Sequence, residues 1–137
     1  EILRYIGIDA PEDYQGEDKE AFSPVAFEFN KKLVEGKKIT ISFDQEKRDH
    51  YNRLLGYVFI KADPQIKTTM KETKNIVFQD KLFVNAYLVR EGMAYPRRYG
   101  ENLQWMKIIF SQMNVAIKEK KGMWSEEFRR NRYKSKN

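Results

Sequence analysis

The 137-residue chain contains no cysteine, one histidine, four prolines and seven glycines. The absence of cysteine excludes disulfides, thiolate zinc sites and thiol catalysis. Because His50 is the only histidine, histidine-based catalysis and histidine zinc binding have no second member to support them. The glycines are scattered and form no phosphate-binding loop, and no apolar run approaches the roughly 18 residues of a membrane span. The available chemistry therefore belongs to carboxylates, cations and aromatic rings.

Positive charge is distributed unevenly along the chain. The formal net charge is +6, which is typical of a protein with a polyanionic partner. Residues 118–137 contain eight Lys/Arg and three acids, and so carry most of that excess. Residues 125–137 are interpreted as a basic tail. Such tails are more often solvated ends than specific readers of nucleic acid, so charge alone does not identify a binding cleft.

Apolar periodicity predicts one α+β domain over residues 1–137. Strand patterns occur in four segments, residues 2–8, 39–43, 54–60 and 76–82. Helical spacing occurs in three segments, residues 24–35, 84–91 and 102–121. Ser23 followed by Pro24 predicts the start of the first helix. The polar stretch 61–75 is predicted to form an exposed hairpin extension.

Acids and arginines are concentrated in two short segments, residues 4–13 and 48–53. In the first, Arg4 lies in the predicted strand, and Asp9 and Glu12 follow at its end. In the second, Arg53 directly precedes the predicted central strand. Hard cations prefer oxygen ligands, and guanidinium forks match phosphate oxygens. The two segments together predict a cleft for a cation and a phosphodiester.

A purely structural interpretation of the same residues stays open. Arg4 inside an apolar strand needs an acidic partner, and either Asp9 or Glu12 would serve. Arg53 would pair with Asp49 in the same way.

Aromatic and basic residues alternate in the segment 95–99. Arg98 and Tyr99 in this segment suit stacking and phosphate contact on a single strand. A solvated loop with packed tyrosines is the alternative.

Four blocks in register resemble the thermonuclease (staphylococcal nuclease) family over nearly the whole chain. The blocks are Arg4-x-x-Gly-Ile-Asp9-Ala-Pro-Glu12, Asp49-x-Tyr-Asn-Arg53-Leu-Leu-Gly-Tyr57-Val, Val84-Asn85-x-x-Leu-Val-Arg90-Glu-Gly92-Met-Ala94 and Gly122-Met-Trp124. The resemblance implies an OB-fold-type five-stranded β-barrel with three helices. It also implies a calcium-dependent (Ca2+) nuclease that acts on DNA and RNA, with single-stranded or locally unpaired substrates favoured.

The resemblance also implies roles for individual residues. Asp9 matches the metal aspartate, and the backbone carbonyl of Ala10 approaches the same ion. Glu12 matches the carboxylate that orients or deprotonates water, while Arg4 and Arg53 match the arginines that grip the scissile phosphate. Substrate contacts are implied for two further positions: Tyr51 matches a tyrosine beside the phosphate of the bound nucleotide, and His50 stands where the family often has lysine, which weakens one phosphate contact.

The sequence departs from the family pattern at its start. The family's second metal aspartate lies in an Asp-Gly-Asp-Thr-like turn near the first two barrel strands, and this sequence begins inside the strand that follows. We therefore expect a truncated form of a longer protein that lacks those two strands. The open edge of residues 2–8 would then be completed by a missing segment or by a neighbouring chain.

Two classes of function compete on this basis. Nuclease activity is expected of the parent protein rather than of this segment alone, and the complete set of Arg4, Asp9, Glu12 and Arg53 favours the enzyme. The alternative is a non-catalytic OB module that binds nucleic acid or protein. A secreted or membrane-tethered location is favoured by the resemblance.

Overall fold

The structure is a computed structural model that describes residues 2–10, 17–69 and 74–128. Its elements are β1 (Leu3–Tyr5), β2 (Ile8–Asp9), α1 (Glu17–Val34), β3 (Thr40–Ser42), β4 (Leu54–Lys61), α2 (Pro64–Thr69), β5 (Val77–Phe78), β6 (Lys81–Phe83), α3 (Val84–Arg90), β7 (Tyr95–Pro96), α4 (Met106–Glu119) and a 3-10 turn (Gly122–Trp124). The predicted α+β class is confirmed.

Strand β4 is the centre of the sheet, as its apolar sequence predicts. It pairs in parallel with β1 and antiparallel with β3 and β6, and β5 pairs with β6. Strands β2 and β7 form a separate two-stranded ladder. Within the described ranges these strands do not close into a barrel. The OB-fold-type barrel implied by the resemblance, expected here without its first two strands, is therefore not seen as a closed barrel.

A turn at Gly7 divides the predicted strand 2–8 into β1 and β2. Gly7 has a φ of +82°, and a Cβ there would lie 2.7 Å from the side chain of Ile109 and 2.8 Å from that of Met106. Glycine is therefore needed both for the backbone conformation and for the close approach of α4. The turn transfers the chain from the main sheet to the β2–β7 ladder, where Asp9 lies.

The predicted start of the first helix was wrong. Helix α1 begins at Glu17, and Pro24 lies inside it rather than at its first position. Phe22 and Ala26 are buried against Met123 and Phe128. Burial of this apolar face offsets the roughly 3 kcal/mol that an interior proline costs.

Two other segments differ from expectation. Residues Pro64–Thr69 form the short helix α2 within the stretch expected to be a hairpin extension, and residues 70–73 lie outside the described residues. Helix α4 is shorter than the predicted 102–121, and Leu103 and Ile117 of its expected apolar stripe are 45% and 41% exposed. Leu103 precedes the first turn, so it does not share the helical period.

Helix α3 ties the sheet together through a buried amide. Asn85 is fully buried, accepts a hydrogen bond from the backbone N–H of Val58 at 2.9 Å, and donates to the carbonyls of Ile6 at 2.8 Å and Gly56 at 3.3 Å. These bonds fix the end of β1 against β4, which sets the positions of Arg4 and Arg53.

No helix in the described part of the chain is long and apolar enough to cross a membrane.

Candidate active site

Pairing of β1 with β4 brings Arg4 and Arg53 into one pocket. Arg4 is in register with Leu55, and Arg53 directly precedes β4. Both arginines and Ala10 line a pocket of about 380 Å³ whose other described lining residues carry no charge. Two guanidiniums without a carboxylate in the lining make this pocket suited to an anion.

Asp9 lies beside this pocket between two arginines. The Nη1 of Arg97 donates to Oδ2 of Asp9 at 2.8 Å, and the Nη2 of Arg4 lies 3.7 Å from Oδ1. The β2–β7 ladder accounts for this arrangement, since Asp9 is in register with Tyr95 and Arg97 follows two residues later. The β2–β7 pairing therefore places a second cation on the carboxylate.

Tyr99 joins the two arginines. Arg4 donates a hydrogen bond to the hydroxyl of Tyr99. The guanidinium carbons of Arg4 and Arg97 lie 4.4 and 5.0 Å from the centre of its ring. These are cation–π distances, so the ring holds both guanidiniums close to Asp9.

Asp49 organises the loop that carries Arg53. Its carboxylate accepts hydrogen bonds from the backbone N–H groups of Tyr51 and Arg53, each at 2.9 Å, and from the Nε of Arg53 at 2.7 Å. Burial acts to raise the pKa of Asp49, but its hydrogen bonds to the backbone and guanidinium of Arg53, with that of Tyr51, outweigh burial and lower the pKa below its usual value. The carboxylate therefore stays ionised and fixes the guanidinium.

The two ring residues of the same loop lie next to Arg53. Tyr51 is 73% exposed, and the guanidinium carbon of Arg53 lies 5.3 Å from its ring centre. The ring of His50 lies 4.9 Å from that of Tyr51. The loop thus presents a small aromatic surface to solvent beside the pocket.

Most of the site residues predicted from the sequence lie close to one another. Arg4, Arg53 and Ala10 share the pocket, and Asp9 and Tyr99 contact Arg4. The structural ion pairs considered from the sequence, Arg4 with Asp9 and Arg53 with Asp49, are both present.

One predicted site residue, Arg98, is not seen in contact with this group. The guanidinium of Arg98 lies 5.1 Å from the ring centre of Phe110 on α4. Glu12 lies outside the described residues.

Arg97 and Asp49 complete the site, although neither was predicted as a site residue. The i,i+4 spacing of Asp49 and Arg53 was a readable signal, because it allows a carboxylate to reach a guanidinium. Arg97 gave only the weak signal of its basic–aromatic segment, since its contact with Asp9 depends on strand pairing across 88 residues.

The donor chemistry at Asp9 suits a hard cation, but the described residues do not complete a site for one. Residues 2–10, 17–69 and 74–128 contain no group of three or more His, Asp or Glu side chains that would hold a metal ion. Asp9 offers carboxylate oxygens of the kind that calcium prefers. Both oxygens face arginines, so a cation has to compete for them.

Comparison with known proteins shows the family. The family model described as staphylococcal nuclease homologue matches residues 2–126. The chain is 27% identical over 124 residues to a thermonuclease of Staphylococcus hyicus, covering 90% of this chain and 62% of that protein. It is 28% identical over 124 residues to an uncharacterized endonuclease of Escherichia coli, covering 90% of this chain and 63% of that protein. The chain thus spans less than two thirds of the length of these two relatives.

Proposed function

Because the chain belongs to the staphylococcal nuclease homologue family, we propose that it is a nuclease domain that hydrolyses phosphodiester bonds of DNA and RNA. The observation that carries the proposal is the pocket lined by Arg4 and Arg53. These two arginines are the charged residues of its described lining. An anion-binding pocket beside a carboxylate is the arrangement that phosphoryl transfer requires. The thermonuclease and endonuclease names of its relatives support the same activity.

The two arginines are proposed to bind the scissile phosphate. Attack on a phosphodiester adds negative charge to its non-bridging oxygens, and guanidiniums held in place beforehand stabilise that charge. Arginine stays protonated at any working pH, so neither contact is lost by titration. Asp49 and Tyr99 hold the two guanidiniums, which limits the reorganisation needed when substrate binds.

A calcium ion is a further part of the proposal. Asp9 and the carbonyl of Ala10 would hold it, and Glu12 would orient or deprotonate the attacking water. When bound there, such an ion offsets phosphate charge and favours ionisation of water. The carboxylate chemistry of Asp9 supports this assignment, and the family resemblance suggests it.

Substrate preference follows from the exposed rings. Tyr51 and His50 beside Arg53 provide a stacking surface for bases next to a phosphate-binding pocket. Stacking on aromatic rings is open to unpaired bases, so single-stranded or locally unpaired substrates are proposed.

The proposal also includes pairing of another strand with the outer edge of β1, since β1 ends the described strand order.

Cleavage by variants of the full-length protein tests the assignment. Arg53→Ala and Glu12→Gln are each expected to lower kcat/KM at least 100-fold, because each removes a contact to the reacting groups. Lys118→Ala, which removes an exposed cation on α4, is the charge control and should retain activity.

Chelation of calcium should stop cleavage, and adding calcium back should restore it. Unchanged turnover in Arg53→Ala, or digestion that survives chelation, contradicts the proposal.

A non-catalytic nucleic-acid-binding module is the second candidate. It is favoured by one observation, the engagement of both Asp9 oxygens by arginines. Such a module would bind a labelled single-stranded oligonucleotide, as measured by fluorescence anisotropy, and leave it intact in calcium. Loss of anisotropy through cleavage in calcium would reject it.

A further inference from the structure

We propose that a groove at the start of α4 binds the part of a single-stranded nucleic acid that continues beyond the arginine pocket. In this groove, Arg98 stacks on a base and Lys107 contacts a phosphate. The inference rests on the proposed function, because it takes the class of substrate from there. It gives that substrate a second contact surface outside the candidate active site.

This surface, called the α4 groove below, combines positive charge with apolar groups. Its described lining, around a volume of about 510 Å³, includes the exposed cations Arg98 and Lys107 and contains no acid. Leu103, which is 45% exposed, and the partly buried ring of Phe110 supply apolar surface between them. Cations alternating with apolar and aromatic groups are typical of surfaces that bind single strands, where phosphates and unstacked bases are both accessible.

Arg98 is held in the groove by a ring rather than by a carboxylate. Its guanidinium carbon lies 5.1 Å from the centre of the Phe110 ring, which is a cation–π distance. Among the described residues, neither Arg98 nor Lys107 forms an ion pair with a carboxylate, whereas Arg4 and Arg53 do. A nucleic acid that meets these two groove cations therefore displaces no acidic partner. A guanidinium plane supported by a ring is also a surface on which a base can stack.

The α4 groove adjoins the candidate active site at two points. Arg98 directly precedes Tyr99, which is hydrogen-bonded to Arg4, and consecutive Cα atoms are only about 3.8 Å apart. Met106 of the groove also lies against the turn between β1 and β2, since a Cβ on Gly7 would be 2.8 Å from its sulfur. A strand whose phosphate is bound by Arg4 can therefore continue past Tyr99 into the groove.

Binding of strands of two lengths tests the phosphate contact. The full-length protein carries Glu12→Gln, which keeps the substrate intact. One probe is an oligothymidine of about 12 nucleotides, within the site size of about 4–16 nucleotides for an OB-type module, and the other is a dinucleotide that reaches only the arginine pocket. For the longer strand, Lys107→Ala should reduce the slope of log K against log salt by about 0.7, the value for one phosphate contact on a single strand. For the dinucleotide, the slopes of variant and parent should agree.

Arg98→Lys separates stacking from charge. Lysine keeps the positive charge but lacks the planar guanidinium, so the salt slope should be retained. The Kd for the longer strand should rise about fivefold or more, the lower end of the range for one base stacked on a side chain. The Kd for the dinucleotide should not change. Fluorescence anisotropy measures the longer strand, and isothermal titration calorimetry measures the dinucleotide.

Lys38→Ala is the matched control for charge. Lys38 is an exposed cation before β3, at the end of β4 opposite Arg53, so its removal should change neither slope nor Kd. An unchanged slope in Lys107→Ala, an unchanged Kd for the longer strand in Arg98→Lys, or equal losses with the dinucleotide each overturn the inference. Failure of the protein without Glu12→Gln to cleave DNA or RNA would instead overturn only the proposed nuclease activity.

Discussion

At the scale of single residues, the geometry of Arg53 depends on one carboxylate. The carboxylate of Asp49 accepts hydrogen bonds from both the backbone N–H and the guanidinium of Arg53. The Nε–Oδ2 distance of 2.7 Å is short for a pair in which the arginine side chain is 37% exposed. A side chain fixed in this way loses little freedom when a phosphate binds. Asp49 is therefore a positioning residue that acts through Arg53.

Replacing Asp49 should impair catalysis more than folding. Asp49→Asn keeps an oxygen for the two backbone N–H groups that donate to Oδ1, but it removes the charge that holds the guanidinium. We expect kcat/KM to fall between about 10- and 100-fold, the range for a misplaced catalytic group. The control is Asp63→Asn, because Asp63 accepts a similar backbone bond from Gln65 in another loop. Equal kcat/KM values for Asp49→Asn and wild type would show that the guanidinium of Arg53 does not need the Asp49 carboxylate to hold its position.

The lowered pKa of Asp49 predicts a pH dependence of stability. Because the pKa in the folded state lies below the unfolded value of about 3.9, the ionised group stabilises the fold above that pH. This contribution is lost as pH falls through the folded pKa. Urea unfolding should therefore show wild type more stable than Asp49→Asn at pH 5 to 8, with the difference shrinking below pH 4. A difference that persists undiminished at pH 2 would contradict the assignment.

At the scale of elements, α3 holds the site together although none of its charged side chains reaches the pocket. Asn85 connects α3 to the chain after β1 and to β4. The end of α3 meets the 3-10 turn, where the N–H of Met123 donates to the carbonyl of Gly92 at 3.0 Å. Helix α3 is thus fixed at both ends, and the β1–β4 pairing that places Arg4 and Arg53 depends on its first turn.

Removal of the Asn85 amide should destabilise the whole fold. Asn85→Ala leaves the N–H of Val58 and the carbonyl of Ile6 without this partner in a buried setting, while the carbonyl of Gly56 still accepts a hydrogen bond from the N–H of Ile6. At a cost of 1–3 kcal/mol for each unsatisfied group, partly relieved by relaxation, the free energy of unfolding should fall by about 2–4 kcal/mol. Asn114→Ala, an exposed change on α4, should alter it by less than about 0.5 kcal/mol. Similar urea midpoints for the two variants would refute this role.

Gly92 allows the close contact between α3 and the turn after α4. Its φ is +71°, and a Cβ would lie 2.2 Å from the carbonyl oxygen of Lys121. Gly36 has a nearly identical φ of +73° but no neighbouring atom within 4 Å of its Cβ position. Gly92→Ala should therefore cost about 2–4 kcal/mol, and Gly36→Ala only the backbone part of about 1 kcal/mol. If thermal unfolding shifts equally in both, the backbone contact has no effect.

At the scale of the whole molecule, positive charge is concentrated toward the C-terminal end. Residues 129–137 contain five Lys/Arg and no acid, and they lie outside the described residues. Phe128 packs against Phe22 with ring centres 5.0 Å apart. A truncation that keeps Phe128 therefore removes charge without opening this apolar contact, whereas a cut at residue 125 would remove both.

Truncation after Phe128 should weaken nucleic-acid binding without changing the chemical step. If two to four of the five cations contact phosphates, the slope of log K against log salt should fall by about 1.5–3. The single-turnover rate at saturating substrate should stay within about twofold of wild type. Anisotropy and quenched-flow measurements would check the two parts. A parallel loss in both would place these residues in the active site instead.

The sequence by itself determined the α+β class, the central position of β4 and the residue types of the site. These follow from local information, namely apolar period, turn chemistry and the pairing of acids with arginines at short spacing. It did not determine where α1 begins, because burial of Phe22 and Ala26 against Met123 outweighs the local preference of Pro24. It also did not determine whether the described strands close into a barrel.

Only the tertiary structure decided which cation meets Asp9. Arg97 and Arg98 are adjacent and chemically identical, yet one contacts the carboxylate and the other lies over Phe110. Their difference is set where β7 pairs with β2: Arg97 lies two residues after Tyr95, the register partner of Asp9, and its backbone N–H donates to the carbonyl of Gly7. Register depends on contacts between residues far apart in the chain, so composition and spacing cannot specify it.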